Sequence, residues 1–216
     1  MIQIAIDGTA ASGKGTLGKS IAMRLELDYL DTGKLYRAVG YAILLAGKSA
    51  DDMSVQDSAE LASSLSLPIL QEDELHSADV AMQASKVAAI PEVRDALLQK
   101  QRDFANNPPS GKGAVLDGRD IGTIILPDAP IKFFVDAKPE VRATRRHMEM
   151  QARGKDLLYA EVLADLINRD NRDKNRTIAP LTAANDAFLI DSSALSAQEV
   201  LQIALDHISS LSVFNM

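Results

Sequence analysis

Gly8-Thr9-Ala10-Ala11-Ser12-Gly13-Lys14-Gly15-Thr16 follows a short apolar run, Ile2–Ile6, and precedes residues of helical spacing. Glycines let a backbone curl so that its N–H groups face inward, and a helix N-terminus adds partial positive charge. Such a loop holds phosphate oxygens. Lys14 would place a point charge against the β and γ phosphates, and the Thr16 hydroxyl would hold Mg2+. The strict pattern has Ser or Thr directly after the lysine, whereas here Gly15 intervenes. An ordinary glycine-rich turn is the competing reading; the strand before the loop and the helix after it argue against that. Gly18 reads equally as a close helix-packing position.

Arginine supplies the second signal. Seven of the twelve arginines lie between Arg142 and Arg176. Arg142, Arg145 and Arg146 share one helix face, and Arg169, Arg172 and Arg176 form a second such group with Asp173 among them. Guanidinium forks bind phosphate bidentately and stay charged. Acidic neighbours leave solvated, salt-bridging faces as the alternative. A third motif, Asp117-Gly118-Arg119-Asp120, ends an apolar run, where a carboxylate could contact Mg2+ or its waters.

The elements that must position these residues follow from periodicity. Short apolar runs at Ile2–Ile6, Tyr29-Leu30, Ala114–Leu116, Ile131–Val135 and Phe188–Ile190 read as strands. Helical spacing covers Thr16–Leu25, Leu35–Leu45, Val80–Arg102 with a break near Pro91, Val141–Arg153, Tyr159–Arg172 and Glu199–Ile208. Ala50–Leu75 is the least regular stretch and reads as a small insert; Asp51-Asp52 reads as a helix cap. Five strands separated by helices imply an α/β fold, a parallel sheet covered on both faces. Ligands of such sheets sit at the C-terminal ends of strands, where Asp7-Gly8, Asp31-Thr32-Gly33, Asp117-Gly118 and Asp136 gather. Leu44, Leu45, Ile125, Phe133, Phe134 and Ile190 are expected in the core, and Met148 and Met150 in packing or lid surface.

Composition removes whole classes. The 216 residues are 46% hydrophobic and 25% charged, which is globular. The absence of cysteine excludes disulfides, thiol catalysis and thiolate metal sites. His76, His147 and His207 are not spaced as metal ligands. A net charge of −7 argues against binding a nucleic-acid polymer. No apolar run spans a bilayer and the N-terminus lacks a signal-peptide pattern, so a cytoplasmic, membrane-free protein is expected.

Several segments together resemble bacterial cytidylate kinases: Asp7-Gly8 through Gly13-Lys14-Gly15-Thr16; Leu30-Asp31-Thr32-Gly33-Lys34-Leu35-Tyr36-Arg37; Ala84-Ser85-Lys86-Val87-Ala88 with Val93-Arg94; Asp117-Gly118-Arg119-Asp120-Ile121-Gly122-Thr123; and Arg169-Asp170-x-x-Asp173-x-x-Arg176 with Ala179-Pro180-Leu181. The resemblance runs from Ile2 to Ser192. It implies a three-layer phosphate-loop kinase fold of one domain. The core would be about 1–50, 86–144 and 166–216, with a monophosphate-binding insert about 51–85 and a lid about 145–165. It implies transfer of the γ-phosphoryl of ATP to CMP and dCMP with Mg2+, by a monomer. Gly8 through Thr16 would hold ATP. Thr32, Tyr36, Arg37, Arg119 and Arg176 would surround the acceptor phosphate, with Lys14, Arg37, Arg119 and Arg176 acting on the transferring group. Ser85, Arg94 and Asp120 would read cytosine, Arg169 and Asp173 the sugar hydroxyls, and Asp117 would join the acceptor site.

The chain departs from that family pattern in four places. Thr9 stands where the family usually has Pro, which predicts a less pre-set loop. Lys34 replaces a small residue. The insert between Leu67 and Ser85 is shorter, and His76 occupies an expected arginine position. A kinase for another small acceptor is the nearest rival. A nucleotide-dependent switch is the rival of another class, but the chain has no Asn-Lys-x-Asp guanine motif; Asn171-Arg172-Asp173-Lys174 has the wrong order.

Overall fold

The structure, a computed structural model, describes residues 1–65, 75 and 77–211. The Leu67–Leu70 part of the insert and His76 lie outside the described residues. The chain divides into two compact units, Met1–Leu30 with Pro108–Met216, and Asp31–Asn107.

The first unit is built on β1 (Ile2–Gly8), β2 (Asp28–Asp31), β3 (Gly113–Gly118), β4 (Ile131–Asp136) and β5 (Phe188–Asp191), joined in the order β2-β3-β1-β4-β5. β1 runs parallel to β3 and β4, and β4 runs parallel to β5. Its helices are α1 (Lys14–Leu25), α6 (Pro139–Ala152), α7 (Tyr159–Asn175) and α8 (Ala197–Ser210). Ile4, Ile6, Ile21, Phe133, Val135 and Ile208 bring β1, β4, α1 and α8 into one apolar core. Removing that surface from water drives the layering. Ser196 and Glu199 close a capping box that starts α8, and Pro139 sits in the first turn of α6.

The second unit is helical: α2 (Thr32–Leu45), α3 (Val55–Ser64), α4 (Ala78–Val87) and α5 (Pro91–Asn106). Ser54 and Ser77 cap α3 and α4, and Pro91 opens α5. α2 and α4 touch at Gly40, where a Cβ would stand 2.9 Å from the Ala84 nitrogen.

Most expected elements are present. Asp31 ends β2, as expected, and α2 starts directly at Thr32. Two readings need correction. The irregular stretch contains α3, whose polar composition hid it. Asp51-Asp52 caps no long helix: Asp52 closes a capping box with Ser49 around the 3-10 turn Ala50–Asp52, and Asp51 pairs with Lys86. Within the expected core, Ile125, Phe133 and Ile190 are buried, while Leu44 and Phe134 are half-buried. Leu45 is 69% exposed, since it falls on the last residue of α2 and off its buried face. Met150 packs inside and Met148 lies on the surface. Among the described residues, no helix is long and apolar enough to cross a membrane.

Each of the five strands ends in Asp or Asp-Gly. With Asp117, Asp7 is one of two deeply buried carboxylates among these. Its two oxygens accept the N–H groups of Ile121 (2.7 Å) and Gly122 (2.8 Å), which open a π-helical turn at Ile121–Ile125. α6 and α7 are joined by a second buried group: Arg142 Nη2 donates to Asp170 (2.5 Å), Nε to the Ala137 carbonyl (2.8 Å) and Nη1 to the Ala10 carbonyl (3.1 Å).

Two predictions follow from these groups. Burial pushes the Asp7 carboxyl up to about 7, with Asp120 adding repulsion, against the two backbone N–H bonds that favour ionisation. Folding therefore takes up a proton at Asp7. The stability this contributes is fully present below the ordinary carboxyl value of 3.8 and is lost as pH rises through about 7. Denaturant midpoints measured across this range should contain such a falling component, and Asp7→Asn should remove it. Arg142→Leu strands the Asp170 carboxylate in the interior. Urea titration should show a loss of about 3–5 kcal/mol, far above that of Arg146→Leu, whose partner Glu149 is exposed.

Candidate phosphate and nucleotide site

The phosphate loop leaves β1 at Gly8. That residue has φ +153°, and a Cβ there would stand 1.9 Å from the Val135 carbonyl oxygen, so glycine is required by both conformation and space. Ala11 (φ 59°) and Gly13 (φ 93°) also have positive φ, a geometry that turns backbone N–H groups toward an anion. Gly13 then serves as N-cap of α1, which begins at Lys14. Three side chains from later in the chain fix the loop. The Thr9 hydroxyl donates to Asp136 (2.6 Å), Arg142 holds the Ala10 carbonyl, and the Ser192 hydroxyl donates to the Ser12 carbonyl (2.8 Å). Thr9 thus corrects one expectation: its bond to Asp136 sets the loop where a proline ring would otherwise do so.

Gly15 has its own reason. A Cβ there would stand 3.2 Å from Asp117 Oδ2, so the inserted glycine makes room for the carboxylate that ends β3. Asp117 therefore stands beside the start of α1, one residue from the exposed Thr16 hydroxyl. Both are oxygen donors suited to Mg2+. Among the described residues no group of three or more His, Asp or Glu could hold a metal ion.

Asp173 on α7 gathers the expected arginines of this unit. Arg119 Nε donates to it at 2.8 Å, with Arg176 and Arg169 at 3.8 and 4.0 Å. Burial alone would raise the Asp173 carboxyl, but the three guanidinium groups override it and hold it below the usual carboxylate range. Asp117 and Asp170 also attract Arg119. Guanidinium groups gathered this way suit phosphate oxygens. Arg119 also donates to the Gly118 carbonyl (3.1 Å), and Asp120 is buried at the head of the π-helical turn. The other arginine group is spent on the protein. Arg142 clamps the loop, Arg145 donates to Ser192 and to the Leu195 carbonyl, and Arg146 pairs with Glu149.

In the second unit, Tyr36 and Arg94 meet. Both are buried, and the Arg94 guanidinium lies 5.7 Å from the Tyr36 ring centroid while donating to the Ala88 carbonyl (3.2 Å). Thr32 and Ser85 are buried on α2 and α4; Arg37 is half-buried on α2 and Lys34 on the same helix.

Sequence reasoning missed the cavity beside the loop. It has a volume of about 260 Å3 and is lined by Ser12, Gly13, Thr16, Arg145, Ser192 and Leu195, among others. Ser192 directly follows β5, so the rule that ligands sit beyond strand C-termini could have flagged it.

Comparison with known proteins agrees with this geometry. The family model described as cytidylate kinase matches residues 4–210. The chain is 51% identical to a cytidylate kinase of Paramagnetospirillum magneticum over 96% of this chain and 97% of that one. It is 54% identical to a cytidylate kinase of Azorhizobium caulinodans over 94% and 95%. A crystal structure of an uncharacterized protein from Eubacterium ventriosum shares the fold with a TM-score of 0.53 and 16% identity, covering 98% of this chain and 100% of that one. With a phosphate loop whose glycines answer to Val135 and Asp117, and a family match over nearly its whole length, this chain belongs to the cytidylate kinase family.

Proposed function

We infer that this protein transfers the γ-phosphoryl of ATP to CMP and dCMP, giving ADP and CDP or dCDP. The observation that carries this reading is the convergence of Arg119, Arg169 and Arg176 on Asp173, in the same unit as the phosphate loop. A protein of net charge −7 that concentrates buried cations this way is built for small, highly charged anions.

A phosphate oxygen of the acceptor attacks the γ phosphorus while the bond to the β-phosphate bridging oxygen breaks, and ADP leaves with that electron pair. No side chain becomes covalently bonded. Catalysis rests on position and charge. The Gly8–Thr16 backbone and Lys14 hold the donor phosphates, and the 260 Å3 cavity beside Ser12 and Gly13 takes the donor base against Arg145. Thr16 and Asp117 would hold Mg2+, which would supply charge neutralisation to the donor phosphates. Arg119 and Arg176, with Arg37, stabilise the oxygens in flight; Thr32 and Tyr36 hold the acceptor phosphate. Arg169 and ionised Asp173 hold the sugar hydroxyls, Asp173 as acceptor. Asp120, Arg94 and Ser85 read cytosine: a carboxylate accepts from the exocyclic amine while arginine donates to the ring acceptors, a pairing that uracil breaks. This reading keeps 51–85 as the monophosphate-binding insert and 145–165 as the lid. The same reading has the enzyme act as a cytoplasmic monomer.

ADP formation with CMP, dCMP, UMP, AMP and GMP as separate acceptors tests the assignment. CMP and dCMP should exceed UMP by at least about a hundredfold in kcat/KM. Comparable rates with UMP would remove the base-reading roles, and no turnover with any acceptor would overturn the function. Lys14→Ala should lower kcat on the order of 10²–10³-fold, because it removes a charge aimed at the transferring group. A fully active Lys14→Ala enzyme would contradict the phosphate-loop assignment.

A further inference from the structure

We propose that Asp7 is a positioning residue for acceptor recognition, fixing the Arg119–Asp120 segment through its bonds to the N–H groups of Ile121 and Gly122. This rests on the reading that Asp120 and Arg119 face the acceptor.

The geometry is specific. β1 and β3 run in register so that Asp7 stands opposite Gly118, the last residue of β3 and the one before Arg119. From there the Asp7 side chain reaches across to the far side of Arg119-Asp120 and accepts two consecutive N–H groups, one on each oxygen. Those donors open the π-helical turn, whose first N–H groups have no partner inside the turn itself. At the other end, Asp120 accepts the Ile124 and Ile125 N–H groups through its backbone carbonyl, so the turn is held from both sides of Asp120. The backbone on both sides of Asp120 is thereby held, on one side by Asp7 from a neighbouring strand.

This arrangement is expensive. Asp7 is 3% exposed, and burial opposes its charge. The charged groups that act on it are Asp120, which repels, and Arg119, which attracts. A neutral residue would avoid the desolvation cost if the position served packing alone. What a carboxylate adds is two acceptors on one rigid plane, and asparagine supplies only one. Gly122 belongs to the same device. A Cβ there would stand in ordinary contact with Asp7 Oδ2, at 3.4 Å, and would crowd Lys132 Cδ at 3.2 Å, so alanine at this position presses the turn against Lys132.

The test is steady-state kinetics with ATP and CMP at about pH 8, where Asp7 is ionised, for Asp7→Asn and Gly122→Ala. The second variant shifts the turn while leaving the carboxylate in place, and so answers the question should Asp7→Asn fold poorly. KM for CMP should rise about tenfold in both, with KM for ATP changed less than about threefold. A merely structural role would lower the melting temperature and leave that ratio unmoved. Equal shifts for both substrates, or none in a folded variant, would overturn the proposal. Asp120→Ala is measured alongside. If it raises KM for CMP while the other two variants do not, positioning by Asp7 fails and base reading stands. If Asp120→Ala leaves KM for CMP unchanged, the base reading fails, and the positioning proposal is overturned with it.

Discussion

Three guanidinium groups repel one another, and the carboxylate of Asp173 lets Arg119, Arg169 and Arg176 share one place in the first unit. Asp173 organises the three cations, and Asp117 and Asp170 add their attraction at Arg119. The result is a mixed cluster of guanidinium and carboxylate groups at one place. Arg142 and Asp170 show another design on the same helices. There Arg142 is buried against Asp170, with Asp136 at 4.0 Å, and its other N–H groups go to the Ala10 and Ala137 carbonyls, so its charge is spent internally. What its N–H groups bond to marks Arg142 as structural.

The same logic sorts the aspartates at the strand ends. Asp7 is taken up by two backbone N–H groups, Asp136 by the Thr9 hydroxyl and the Ala137 N–H, and Asp191 by Ser193. Asp117 lies against Gly15, where a Cβ would stand 3.2 Å from its Oδ2, beside the helix that begins with Lys14. A parallel sheet delivers carboxylates to one rim as a matter of topology. Local hydrogen bonding then decides which of them build turns and which can meet a ligand.

Much of this was legible in the sequence. The strand, loop and helix of the phosphate motif, and the Asp-Gly-Arg-Asp turn, follow from residue types and spacing that admit few alternatives. The helix α3 was not legible, because Gln56, Asp57, Ser58 and Glu60 give its first turns no apolar face to read. Leu45 misled because helical periodicity says nothing about where a helix stops being covered. Both arginine groups follow helical spacing, so only three-dimensional partners could show that Arg142 clamps protein carbonyls while Arg169 and Arg176 converge on Asp173. Asp7 was visible as a strand-end aspartate, but its partners lie 114 and 115 residues away, beyond any local pattern.

Sequence distance also governs the phosphate loop. Its motif is nine consecutive residues, yet its shape is held by Thr9 to Asp136, Ala10 to Arg142 and Ser12 to Ser192, separations of 127, 132 and 180 residues. Contacts this distant form only after much of the chain entropy has been lost, so the loop takes its working shape once the sheet is assembled and not before. Such anchoring explains why Thr9 tolerates the loss of proline. A proline ring restricts the chain in the folded and unfolded states alike, whereas a hydroxyl on Asp136 restricts it only in the folded one. The loop is therefore rigid where phosphate must bind and unconstrained where it need not be. Its stiffness is supplied by β4, by α6 and by the residue after β5, the same elements that surround the adjoining cavity or its loop.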